Sequence, residues 1–123
     1  MSFKISKKEL QELHDTIIKS IQDKKGENIV SIQVGALSGA VSEYYIICNA
    51  NSNTQVDAIA HGVEKDVREI LKERPWHVEG KDNSQWVLLD YVSIMVHVFQ
   101  TPSRDFYKLE KLWADAPTKT YED

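Results

Sequence analysis

The chain has little of what marks several large protein classes. It carries one cysteine, Cys48, in 123 residues, so it can form neither an internal disulfide nor a thiolate metal cluster. Its apolar runs are a few residues long, far short of the roughly 20 that cross a bilayer as a helix. The opening Met1-Ser2-Phe3-Lys4 has no basic stretch, apolar segment and small-residue cleavage site, so no secretory signal is expected there. The expected compartment is the cytoplasm. Excess positive charge is lacking too. The formal net charge is -4, and residues 43–123 hold 14 acids against 9 Lys and Arg. Proteins that bind nucleic acid by mass electrostatics are usually basic, so naked RNA or DNA is a poor partner. A basic protein surface is a better match.

What is present is an ordinary globular balance, 41% hydrophobic and 28% charged, in a length that suits one domain with a real core. Three helices are legible. Ser6 with Glu9 three residues on is a capping-box pattern, and Leu10, Leu13, Ile17, Ile18 and Ile21 follow on one face. Lys24-Lys25-Gly26 makes its end, with glycine able to turn left-handed. A second helix begins at Ser52, with Gln55 in the reciprocal capping position. It carries an apolar stripe of Val56, Ile59, Ala60, Val63, Val67, Ile70 and Leu71 up to Pro75. A third follows Thr101-Pro102, with Phe106, Leu109 and Trp113 on one side.

Strands are expected at 28–34, at 44–48, in a short piece near His77, and at 86–91 and 94–99. The last two are too close for an intervening helix and read as an antiparallel hairpin. The order predicts an α/β fold, a single domain with a mixed sheet of about five strands covered by helices. Residues 1–113 form this domain in that reading, and Ala114 to Asp123 is a loose tail.

Equipment for catalysis is sparse. His14, His61, His77 and His97 never recur at a spacing of three or four, so the helical zinc-site pattern is missing. His61 with Asp57 and Glu64 reads as a solvated helix surface rather than a metal site. Cys48 sits in an apolar strand and reads as a small hydrophobe. Gly35-Ala36-Leu37-Ser38-Gly39 lacks the spacing and lysine of a phosphate-binding loop and reads as a connection between strands. No Gly-x-Ser-x-Gly elbow occurs. The strand acids Glu43 and Asp90 stand in different elements, which is not the clustered carboxylate set of metal-dependent phosphoryl transfer. No enzymatic activity, metal or cofactor is expected.

The segment WVLLDYVSIMVHVF, residues 86–99, asks for an explanation. Its second strand is apolar on both faces. Either helices cover it on both sides, or part of one face, with Trp86, Asp90 and Tyr91, is left for a protein partner. Aromatic residues and arginine dominate binding hot spots, and Arg104, Tyr107 and Lys108 extend such a patch. For His97 the simplest expectation is a histidine hydrogen-bonded in or beside the core.

At this hairpin the chain resembles a known family. WVLLDY, IMVHVF and SRDFYKLEKLW, preceded by SEYYIICNANSNTQVDAIAHGVEKDVRE, resemble the ribosomal silencing factor, or Iojap, family from about residue 8 to 117. The family usually has aspartate where Glu43 stands, and Gly-Asp where this hairpin has Val92-Ser93. The resemblance implies a fold related to nucleotidyltransferases without their active site. It implies a translational repressor that binds the large ribosomal subunit through ribosomal protein L-fourteen and blocks subunit joining by occupancy. By the same resemblance Trp86, Leu89, Asp90 and Tyr91 are the expected centre of the docking face. Trp86, Leu89 and Tyr91 would be its apolar anchors, and Asp90 its charge-assisted contact. Met95, His97, Arg104 and Tyr107 are further candidates. A homodimer is compatible with the apolar stripes. The alternative is a nucleotide-binding or nucleotidyl-transferring enzyme on the related fold.

Overall fold

The computed structural model describes residues 5–37 and 39–122. The opening Met1–Lys4, Ser38 in the glycine-bracketed connection, and Asp123 lie outside the described residues. Helix α1 spans Lys7–Asp23 and starts where its capping box predicts. Ser6 Oγ accepts the Glu9 N–H at 3.0 Å, and the Glu9 carboxylate accepts the Ser6 N–H at 3.2 Å. Its end differs from expectation. Lys25, not Gly26, takes the left-handed turn, with φ of 66°. Gly26 is needed for space, because a Cβ there would run into the Ile21 side chain. Helix α2, Asn53–Leu71, is capped by Ser52, while the Gln55 side chain reaches instead to the Lys25 carbonyl. Its stripe is buried through Val67, but Ile70 is exposed and the helix closes on a left-handed Lys72.

The strands are β1 (Glu27–Ile32), β2 (Tyr44–Ala50), β3 (His77–Glu79), β4 (Trp86–Asp90), β5 (Ile94–Gln100) and β6 (Thr118–Tyr121). They form one sheet in the order β3-β4-β5-β2-β1-β6. The β2–β5 pair is parallel and the others are antiparallel, so the sheet is mixed as expected. The sixth strand corrects the loose tail: Thr118–Tyr121 pairs with Ile29–Ile32. Polar and mostly exposed, this strand gains its order from the ladder bonds to β1 rather than from core burial, so hydrophobic pattern does not reveal it.

One face of the sheet is closed. Ile46, Cys48, Ile94, Val96, Val98, Val87 and Leu89 pack under Leu13, Ile17 and Ile21 of α1 and Val56, Ile59, Val63 and Val67 of α2. The other face has a smaller cluster around Ile32, Val34, Ile47 and Phe99. Its cover is short. Helix α3 (Thr101–Tyr107) gives way at a left-handed Lys108 to a 3₁₀ turn, Leu109–Trp113. Leu109 and Trp113 pack on the sheet as expected, but Phe106 points to solvent. The central strands β2 and β5 are therefore apolar on both sides, and the second side is only partly roofed.

Candidate functional site

Strand alternation and register assemble the uncovered part of the second face. On β4, Trp86, Leu88 and Asp90 point to it. Directly opposite on β5 stand Phe99, His97 and Met95. The parallel neighbour β2 adds Tyr45 beside Met95. Trp86, Leu88, Asp90, Met95 and Tyr45 are all part-exposed.

The rings are locked together. The Trp86 indole N–H donates to His97 Nδ1 at 3.1 Å, and the indole stacks on Phe99 with centroids 4.8 Å apart. Tyr107 lies 4.8 Å from Trp86 and 6.5 Å from Phe99. Tyr45 sits 4.8 Å from the His97 ring and 5.5 Å from Trp113. Aromatic contacts at these separations add to area burial and hold the rings in place. Burial lowers the His97 imidazole to about 4, so the ring is neutral at pH 7. Burial, and then the nearby Asp90 charge, raises the Tyr45 phenol. The Asp90 carboxylate also accepts the Val92 N–H at 2.8 Å. The result is a preformed aromatic surface edged by one carboxylate.

Trp86, Asp90, Met95, His97 and Tyr107, singled out from the sequence, come together here. Three others do not. Leu89 is fully buried and Tyr91 is 8% exposed, both on the helix-covered face. Successive strand residues alternate faces, so neither belongs beside Trp86 and Asp90. Arg104 is buried by a polar network. One guanidinium nitrogen donates to the Asn28 carbonyl at 2.6 Å and to Asn49 Oδ1 at 2.8 Å. The other two nitrogens face the Glu110 carboxylate at 3.3 and 3.0 Å. With its donors so engaged, Arg104 holds α3 to the sheet and is not presented to a partner. Leu88 and Tyr45 were missed. Period-two alternation from Trp86 to Asp90 already points to Leu88, whereas Tyr45 required the β2–β5 register.

Elsewhere, His61 is exposed on α2. Cys48 is fully buried, and its thiol is pushed up to about 12 by burial. Among the described residues, no group of three or more His, Cys, Asp or Glu side chains is placed to hold a metal. No helix there is long and apolar enough to cross a membrane.

Comparison with known proteins agrees along almost the whole chain. The profile of the family described as "Ribosomal silencing factor during starvation" matches residues 7–123. The ribosomal silencing factor of Halalkalibacterium halodurans is 39% identical over 112 residues, covering 91% of this chain and 94% of that protein. A crystal structure of a Chromobacterium violaceum protein superposes with a TM-score of 0.80 at 31% identity, covering 85% of each chain. A more distant relative, the mouse "Mitochondrial assembly of ribosomal large subunit protein 1", is 27% identical over 101 residues, 80% of this chain and 44% of that protein. The chain belongs to the ribosomal silencing factor family, which also takes in the chloroplast Iojap proteins.

Proposed function

We propose that this protein represses translation in the cytoplasm by docking on the large ribosomal subunit and keeping the small subunit from joining. The docking partner in this reading is ribosomal protein L-fourteen, as the family resemblance implies. The contact surface is the half-open sheet face bearing Trp86, Leu88, Asp90, Met95 and Tyr45. Silencing by occupancy needs no bond to be made or broken, which suits a surface built from packed rings and one carboxylate.

The observation that carries this reading is the asymmetry of the sheet. One face is sealed by two long helices, while the other keeps an aromatic strip part-exposed. Rigid aromatic side chains already fixed by neighbours lose little entropy on binding, and such residues dominate interface energetics. The acidic excess of residues 43–123 complements a basic ribosomal protein.

Co-sedimentation with isolated large subunits tests the proposal. Trp86→Ala is expected to weaken binding by ~2 kcal/mol or more, with subunits stripped of L-fourteen failing to retain the wild-type protein. Binding that survives both changes, or binding that leaves subunit pairing intact on a sucrose gradient, overturns it.

A further inference from the structure

A buried donor without an acceptor lies at the centre of this face. His97 is 5% exposed, and its Nδ1 accepts the Trp86 indole N–H. An indole nitrogen can only donate, so in the neutral ring Nδ1 carries the lone pair and the proton sits on Nε2. That Nε2 is buried and has no hydrogen-bond partner. Among the described residues two other buried side-chain atoms share this condition, Ser20 Oγ and Tyr91 Oη, but both belong to residues on the helix-covered side. His97 alone of the three stands on the uncovered face.

An unmade hydrogen bond in a packed interior is costly, and native structures rarely keep one without a use. Desolvation holds the ring neutral, so Nδ1 keeps the lone pair that accepts the indole N–H and Nε2 keeps its proton. Its neighbours are the half-buried rings of Tyr45 and Trp86, with Leu88 directly across the strand pair.

We propose that the His97 Nε2–H is a reserved donor, satisfied by a main-chain carbonyl of the docked ribosomal protein as the part-exposed Tyr45 ring turns aside, while the Trp86–His97 hydrogen bond stays in place. This rests on the docking reading above and names the chemistry at its centre. The acceptor is a carbonyl because the surrounding Leu88, Met95 and Tyr45 admit a neutral group at far lower desolvation cost than a carboxylate. A basic partner, moreover, offers side chains that are mainly donors. His97 is thus a specificity residue: a partner segment that presents an N–H or an apolar group there leaves the donor unpaired.

Three variants and one spectrum decide the matter. In the full chain with nitrogen-labelled histidine, titration with the isolated ribosomal protein is expected to move the His97 Nε2 proton downfield. His97→Phe is expected to bind large subunits about tenfold more weakly without a lower Tm than His97→Gln. His97→Gln keeps one acceptor and one donor and is expected to restore most of the affinity. If the complex forms while the Nε2 proton stays in place, or if His97→Phe binds as wild type while Trp86→Ala does not, the reserved donor is wrong and the docking face stands. If Trp86→Ala binds as wild type, the docking face itself has failed and this proposal falls with it. The titration needs no substitution, so it decides even where a variant misfolds.

Discussion

The Asp90 carboxylate accepts the backbone N–H of Val92 at 2.8 Å, across a turn in which that valine holds φ at 71°. Left-handed backbone is strained for a β-branched residue. The turn is nevertheless tightly tied, with Tyr91 N–H to the Ile94 carbonyl at 2.9 Å and Ser42 Oγ donating to the Val92 carbonyl at 2.8 Å. A glycine at this position would reach the same angle without a Cβ clash. Val92→Gly is therefore expected to raise unfolding stability by about 1 kcal/mol, after glycine's extra entropy cost is set against the relieved strain. Asp90→Ala is expected to lower it by about 1 kcal/mol through loss of the carboxylate contact. Denaturant unfolding of both variants checks the pair. A Val92→Gly protein less stable than wild type would show that the turn is not strained.

Leu89 and Trp86 stand three residues apart in β4 on opposite faces, so they separate packing from docking. Leu89 is fully buried beneath the helices, and Leu89→Ala is expected to cost about 2–5 kcal/mol of stability by leaving a cavity. At a temperature where it remains folded, its affinity for large subunits is expected to equal that of wild type. Calorimetry and co-sedimentation on one preparation test this. An affinity loss in the folded Leu89→Ala protein would contradict the placement.

Arg104 joins α3 to residues distant in sequence. Arg104→Ala is expected to destabilise the fold by about 3 kcal/mol, because Asn49 Oδ1 and the Asn28 carbonyl each lose the guanidinium donor and the Glu110 carboxylate loses its cation. Arg104→Lys is not expected to rescue it, since one ammonium cannot reproduce the planar fork facing Asn28, Asn49 and Glu110 together. Thermal unfolding of the two variants measures this, and a Lys variant as stable as wild type would refute it.

Stability is expected to depend on pH through His97. Its folded pKa of about 4 lies below the ordinary 6.5. Between those values the unfolded chain binds a proton that the folded chain does not, so stability falls as pH drops through this window. The stabilising difference is fully present above pH 6.5. Its size is on the order of 3 kcal/mol. Glu73, raised above its usual value by burial and then by Glu9, acts in the opposite sense. The informative quantity is therefore the difference between wild type and His97→Phe, measured by denaturant unfolding at pH 7 and pH 4.5. Equal losses in both proteins would remove His97 as the cause.

Local chemistry was enough to read α1, α2, the start of α3 and five of the strands. The Ser6–Glu9 reciprocal cap, the 3.6-residue stripe of α2 and the short gap between β4 and β5 each depend on neighbours in the chain. So did the recognition of the family, which lies in the order of several segments. The site was only half legible. Alternation links Trp86, Leu88 and Asp90, yet β2 and β5 are apolar on both sides, and a pattern without contrast cannot say which side the helices cover. That was decided by α1 and α2 both packing on the Leu89 side. Tyr45 entered the face through its parallel pairing with β5, and Arg104 left it through a carbonyl 76 residues away. The sixth strand likewise depends on β1 for its backbone hydrogen bonds. Propensity and periodicity act over a few residues, whereas burial and ladder pairing depend on what the rest of the chain brings alongside.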